Sequence, residues 1–324
     1  MYGLNNLKVT INIISNQVSC PVCSCGKMVP IRDKSENVIN MRFYCEQHEI
    51  YITPRTFIYK EEKENLLWHS QEDEELLNNI RSEKVKRECR MNYNNSEDAL
   101  TWNVFRYLEN QKILDSYFST ILNRKIKGIE VIYWSYSAKD NNVFNPLQRA
   151  RNIFEYGKGS EPDIILVSYD TVIFLEAKFG SYNTASPKNS SQRVIDKYCL
   201  SENRLWDSLF TQNFTKIAVE EKKYELARFW LLGNWIAIQS KQKPLNFILL
   251  SLVREREEID IEDRFSPLIN QNDSRVFKRI SWESIYNFIK VHNKDNDDKQ
   301  LIIDYFKNKS LGYEKGRIKK AFNI

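Results

Sequence analysis

Residues 159–183, GSEPDIILVSYDTVIFLEAKFGSYN, read as two apolar strands around a short polar turn, with Asp163, Glu176 and Lys178 set into the apolar pattern. Ionised groups in such a run cost several kcal/mol unless they are paired or hold a metal. With Tyr169 and Asp170 at the centre of the turn, Ser168 opposes Thr171, and the same register sets Asp163 across from Glu176. Opposed residues share a face with Cβ atoms about 4.5–5.5 Å apart, a span over which two carboxylates can grip one cation. Lys178 falls on that face by the two-residue period. The turn carries no Asn-Gly pair, so a one-residue shift is the alternative register, and it would turn Asp163 to the other face. Val172 and Phe174 accompany Glu176, while Ile173, Leu175 and Ala177 occupy the opposite face. Both faces are therefore apolar, which predicts a central strand covered by helices on each side. The simpler reading is a core strand whose last residues emerge as a cross-charged edge. A Pro-Asp and a Glu-x-Lys in register favour a site.

Pro162-Asp163 followed by Glu176-Ala177-Lys178 resembles the signature of the PD-(D/E)XK nuclease superfamily, the restriction endonuclease-like fold. The surroundings extend the resemblance over roughly residues 95–255. NSEDALTWNVFRYLEN has Ser96 as an N-cap and an apolar helical face at Ala99, Trp102 and Phe105. GIEVIYWSY at 128–136 reads as a strand, KKYELARFWLLGNWIAIQS as a buried helix and LNFILLSLV at 245–253 as a core strand. The resemblance thus implies an α/β core of order αβββαβ, with a central mixed sheet flanked by helices. It further implies a Mg²⁺- or Mn²⁺-dependent DNA endonuclease, of restriction, defence or mobile-element type, able to cut both strands as a homodimer. Asp163, Glu176 and the Ala177 carbonyl would hold the metal, with Lys178 orienting or deprotonating the attacking water. Such hydrolysis needs an activated in-line water and positive charge near the phosphorane oxygens, and hard oxygen ligands suit these cations. Glu97, or Asp98 behind it, is the candidate helix acid for a further ligand or catalytic role; acids also gather in a first turn for the helix dipole alone. On the helix after the Lys178 strand the polar residues are Tyr224, Arg228 and Asn234.

A second constellation lies in residues 19–59. Cys20 and Cys23 form Cys-x2-Cys and Cys45 and His48 form Cys-x2-His, the spacing of two knuckles around tetrahedral Zn²⁺, with Cys25 as the alternative to Cys23. Four protein ligands close the site, so this zinc is structural, in a zinc-ribbon-like module. Reduced thiols without metal are the competing reading, but so small a segment has little core of its own. Cys89, Cys199, His69 and His292 have no metal-ligand spacing around them.

The chain of 324 residues is 42% hydrophobic and 28% charged, enough apolar content for one large core and a satellite. The expected division is residues 1–60 for the zinc module, 61–92 for a charged helical linker and 93–324 for the nuclease-like domain with a C-terminal helical extension. No run approaches a membrane span and the N-terminus has no signal-peptide pattern, which predicts a cytoplasmic protein without membrane contact. A net charge of +5 does not by itself mark a nucleic-acid binder. Its distribution is more informative: residues 61–75 are acidic and read as a solvated helix face, whereas KVKRECR at 84–90 and the C-terminus are basic. Lys188, Arg193 and Lys197 fall in a polar segment expected to be a loop able to close on a phosphate backbone. The absence of a Walker loop excludes ATP use by that route. The alternative functions are a catalytically idle nuclease fold that binds nucleic acid, or a zinc-ribbon adaptor for a protein partner.

Overall fold

The computed structural model describes residues 6–33, 35–83, 90–155, 159, 161–188, 191–240, 243–292 and 296–324. Residues 84–89 of the basic run, with Cys89, lie outside these. The chain forms two compact units, neither contiguous in sequence: residues 1–74, 87–111 and 283–324 make the first, residues 75–86 and 112–282 the second.

The first unit begins with two small antiparallel sheets, β1 (Ile13–Ile14), β2 (Gln17–Ser19) and β3 (Met28–Pro30), then β4 (Tyr44–Cys45), β5 (Ile50–Ile52) and β6 (Phe57–Tyr59). Their shared core is short: Ile11, Val18, Val29, Ile50, Ile52 and Phe57 pack around three cysteines. The segment at 61–75 differs from the solvated helix expected there. Leu66, Leu67 and Trp68 are buried, and a regular helix, α1 (Gln71–Glu83), starts only at Gln71. Asn103 of helix α2 (Glu97–Asn110) explains why: its side chain accepts from the Leu67 amide at 2.8 Å and donates to the Asn65 carbonyl at 2.9 Å. Ser96 caps α2 as its sequence suggests, accepting from the Ala99 amide. This helix, anticipated as the first of the nuclease-like core, groups with the first unit.

The second unit holds α3 (Leu114–Leu122) and a seven-stranded mixed sheet. Its strands are β7 (Glu130–Tyr133), β8 (Tyr136–Ser137), β9 (Asn142–Val143), β10 (Ile164–Val167), β11 (Thr171–Ala177), β12 (Asn246–Val253) and β13 (Arg275–Ser281), in the spatial order β13-β12-β11-β10-β7-β8-β9. The strand expected at 128–136 is interrupted because Trp134 and Ser135 adopt left-handed backbone, which turns the chain into β8. β7, β10 and β11 form an antiparallel meander. β12 returns parallel to β11, and β13 parallel to β12. Helices α4 (Asn145–Phe154), α5 (Gln192–Leu209), α6 (Tyr224–Ile238) and α7 (Ile261–Phe265) complete the unit. β11 is buried along its whole length, as its two apolar faces require. The Val172 and Phe174 face packs with α6, where Phe174 meets Phe229 edge-on with ring centres 6.3 Å apart. Gly233 in the middle of α6 permits this packing, since a Cβ there would overlap the Phe247 ring of β12. Gly233→Ala is therefore expected to lower stability by about 1–3 kcal/mol through overpacking, against the helix-propensity gain of about 1 kcal/mol; urea unfolding of the full chain measures the sign.

The first unit is completed by residues 283–324, which include most of α8 (Trp282–His292), then α9 (Asp297–Asn308) and the hairpin β14 (Ser310–Glu314) with β15 (Arg317–Lys320). The C-terminal extension is thus part helical, part hairpin, and the basic tail forms the hairpin. Lys309 shows how firmly it is tied in: its buried ammonium donates to Asn65 Oδ1 at 3.0 Å, and burial pushes its pKa well below the ordinary lysine range.

Candidate functional site

The hairpin register places the first constellation. Ile164 pairs with Leu175 and Val167 with Val172, and the Ser168 amide donates to the Thr171 carbonyl at 2.9 Å, so Tyr169 and Asp170 are the central turn residues. One step further along this register Asp163 stands opposite Glu176, and the alternative one-residue shift does not occur. Asp163 Oδ2 accepts from the Ala177 amide at 2.9 Å, and the Asp163 carbonyl accepts from the Trp134 amide at 3.0 Å. Both bonds hold the acid at the end of the sheet.

Asp163, Glu176 and Lys178 are all buried, at 5%, 4% and 9% exposure. The Lys178 ammonium donates to Glu176 Oε1 and, at 2.9 Å, to Glu225 Oε2. The second carboxylate oxygen of Glu176 is buried with no hydrogen-bond partner. Burial, and next the Asp163 charge, push the Glu176 carboxyl well above the usual carboxylate range, with Lys178 acting in the other direction. Burial works to lower the Lys178 pKa, but the Glu176, Glu225 and Asp163 carboxylates outweigh it and raise it. The Asp163, Glu176 and Glu225 carboxylates thus surround a single ammonium, that of Lys178, with one Glu176 oxygen left unsatisfied.

Glu225 escaped the sequence reading. It stands 47 residues beyond Lys178, in the first turn of α6, and reaches Lys178 because α6 covers the Glu176 face of the sheet. Its only sequence signal was an acid at a helix start. Of the polar residues weighed on that helix, Arg228 forms an ion pair with the fully buried Glu155 carboxylate at 2.5 Å, and Tyr224 reaches the same group through Tyr198. Asn234 donates back to the Trp230 carbonyl of its own helix at 2.8 Å. Arg193 and Lys197 lie on α5 and not in a loop, because the helix begins at Gln192; Lys188 is exposed just before it. Glu97 and Asp98 occupy the first turn of α2, in the first unit, where both line a cavity.

The second constellation is corrected in one ligand. Cys20, Cys25, Cys45 and His48 bring one ligand atom each to within 4.8 Å of all the others, a Cys₃His group that could hold a metal such as zinc. Cys25 replaces Cys23. The Cys25 amide closes a turn on the Val22 carbonyl at 3.3 Å, with Ser24 in the left-handed region, so Cys25 turns inward to 4% exposure and Cys23 is left partly exposed. Cys20 and Cys25 flank the turn between β2 and β3, while Cys45 and His48 flank the turn between β4 and β5. Cys25 and Cys45 sulfurs lie 3.8 Å apart, and His48 Nδ1 lies 3.6 and 3.4 Å from the sulfurs of Cys20 and Cys45. A tetrahedron with Zn–S near 2.3 Å and Zn–N near 2.0 Å has edges of about 3.8 Å and about 3.5 Å. The Lys8 ammonium donates to the Cys20 and Cys25 carbonyls at 2.9 and 2.7 Å, setting a cation beside the three-cysteine group.

Among the described residues no helix is long and apolar enough to cross a membrane. Comparison with protein-family models, with curated proteins and with solved structures finds no match to this chain.

Proposed function

We propose that the chain is a metal-dependent nuclease of the PD-(D/E)XK kind that hydrolyses phosphodiester bonds of DNA, with a zinc-ribbon-like module at its N-terminus. The observation that carries this reading is the buried, partnerless Glu176 oxygen beside Asp163, next to a lysine whose charge two carboxylates maintain. Asp163, Glu176 and the Ala177 carbonyl would hold Mg²⁺ or Mn²⁺, which supplies a water of lowered pKa and charge for the phosphorane oxygens. The chain's own residues do the rest. The Ala177 amide fixes the Asp163 carboxylate, and Glu225 fixes the Lys178 ammonium. Lys178 already shares its protons with two acids, so it orients the water and neutralises developing charge in preference to acting as a base.

The test is incubation with plasmid, linear and single-stranded DNA, and with RNA, in Mg²⁺, Mn²⁺ or EDTA. Cleavage that needs metal supports the reading; intact substrates under every metal condition leave a binding subunit instead. The raised Glu176 pKa adds a pH dependence. A proton competes with the metal for this carboxylate, so the Mg²⁺ concentration giving half-maximal cleavage is expected to rise as pH falls, measured as a metal titration at each pH. Glu225→Gln should slow cleavage about tenfold, a charge-assisted hydrogen bond discounted for partial exposure, while the choice between Mg²⁺ and Mn²⁺ stays unchanged.

A further inference from the structure

Residues 6–8 are fastened to the cysteine turn between β2 and β3. The Cys23 amide donates to the Asn6 carbonyl at 2.8 Å, the Lys8 amide donates to the Pro21 carbonyl at 2.7 Å, and Leu7 bridges antiparallel to Val22. This backbone pairing delivers the half-buried Lys8 side chain to the carbonyls of two candidate ligands, Cys20 at 2.9 Å and Cys25 at 2.7 Å. One ammonium therefore spans the turn that supplies half of the Cys₃His group. Among the described residues no carboxylate pairs with it, so its charge is not matched by an acid.

We infer that Lys8 is a positioning residue of this metal site, closing the turn between Cys20 and Cys25 with its hydrogen bonds and balancing the charge of a bound zinc. The inference rests on the zinc reading of the Cys20, Cys25, Cys45 and His48 group and deepens it. Cysteines bind zinc as thiolates and histidine binds it as a neutral imidazole, so three thiolates around Zn²⁺ leave one negative charge in excess. The Lys8 ammonium is its complement. A backbone amide or a neutral side chain could satisfy the two carbonyls; what a lysine adds is charge, beside the sulfurs that carry the excess. A cation there lowers the basicity of a thiolate and with it the nucleophilicity. The site so built retains its metal and resists electrophiles, the behaviour of a structural zinc. Groups that orient metal-ligand residues in this way change metal affinity by about 10–100-fold.

Zinc-loaded full chains carrying Lys8→Gln or Lys8→Arg are compared with wild type in competition with a chromogenic chelator. Lys27→Gln, which removes an exposed lysine of the same turn, is the control. Lys8→Gln keeps a donor but no charge and should weaken zinc binding about tenfold, whereas Lys8→Arg keeps both and should stay within about threefold of wild type. Lys27→Gln should match wild type. Loss of the turn alone would also weaken binding, so a second reading isolates the charge. With zinc saturating, alkylation of Cys20, Cys25 and Cys45 by iodoacetamide, located by peptide mapping, should run about fivefold faster in Lys8→Gln than in wild type, and at the wild-type rate in Lys8→Arg. Circular dichroism of the zinc-loaded chains checks that they are folded. Unchanged zinc affinity in Lys8→Gln, an equal loss in Lys27→Gln, or unchanged alkylation each overturns the inference while the zinc reading stands. Wild-type protein that holds no zinc overturns both.

Discussion

Asp163→Asn, Glu176→Gln and Lys178→Met are each expected to reduce DNA cleavage by at least about a thousandfold, because members of a coupled site fail together and not in proportion. The reason is spatial. Asp163 and Glu176 face one another across the hairpin, and Lys178 bonds Glu176 directly, so each substitution alters the charge that the other two residues meet. These near-isosteric changes keep the side-chain volume at three buried positions, avoiding the cavity that alanine would leave. Initial rates on a plasmid, with Mg²⁺ held saturating for each variant, give the comparison. Mg²⁺ should also raise the melting temperature of the wild type by selective binding to the folded chain, and Asp163→Asn and Glu176→Gln should abolish that shift. Wild-type rates in Asp163→Asn, on a substrate the wild type cuts, would sink the assignment of this centre.

Cys25→Ser should release the metal from the N-terminal group, whereas Cys23→Ser should retain about one zinc per chain. The two thiols are two residues apart, so the pair separates a built site from a general loss of cysteine. Zinc binding in such modules is worth about 10–16 kcal/mol and is largely their folding energy, and the core around the thiols is short. Loss of zinc should therefore melt the first unit at a lower temperature. Elemental analysis of freshly purified protein with thermal melts reads both effects; equal zinc in the two serine variants would return the site to another ligand set. A truncation starting at residue 90 is a poor substitute for this test. It would remove Asn65, which donates to the Met91 and Tyr93 carbonyls and accepts from the buried Lys309 side-chain nitrogen, taking away that nitrogen's hydrogen-bond acceptor.

Elements built on local pattern were legible from residue order alone. The two strands and a short turn between them were legible in this way, but with both strand faces apolar two registers remained, and the folded hairpin chose the one that centres the turn on Tyr169 and Asp170 and faces Asp163 with Glu176. The α2 cap at Ser96, the buried helix α6 and the strand β12 follow in the same way from capping chemistry and apolar content. The pairing of Cys45 with His48 was equally local, both flanking one turn. Tertiary structure alone decided the rest. Between Cys23 and Cys25, spacing is indifferent, and a left-handed turn at Ser24 made the choice. Glu225 meets Lys178 only because α6 packs on one face of the sheet, a contact across 47 positions that no local pattern encodes. The first unit is assembled from three separate stretches of chain because buried polar groups such as Asn65, Asn103 and Lys309 must find partners wherever the fold supplies them.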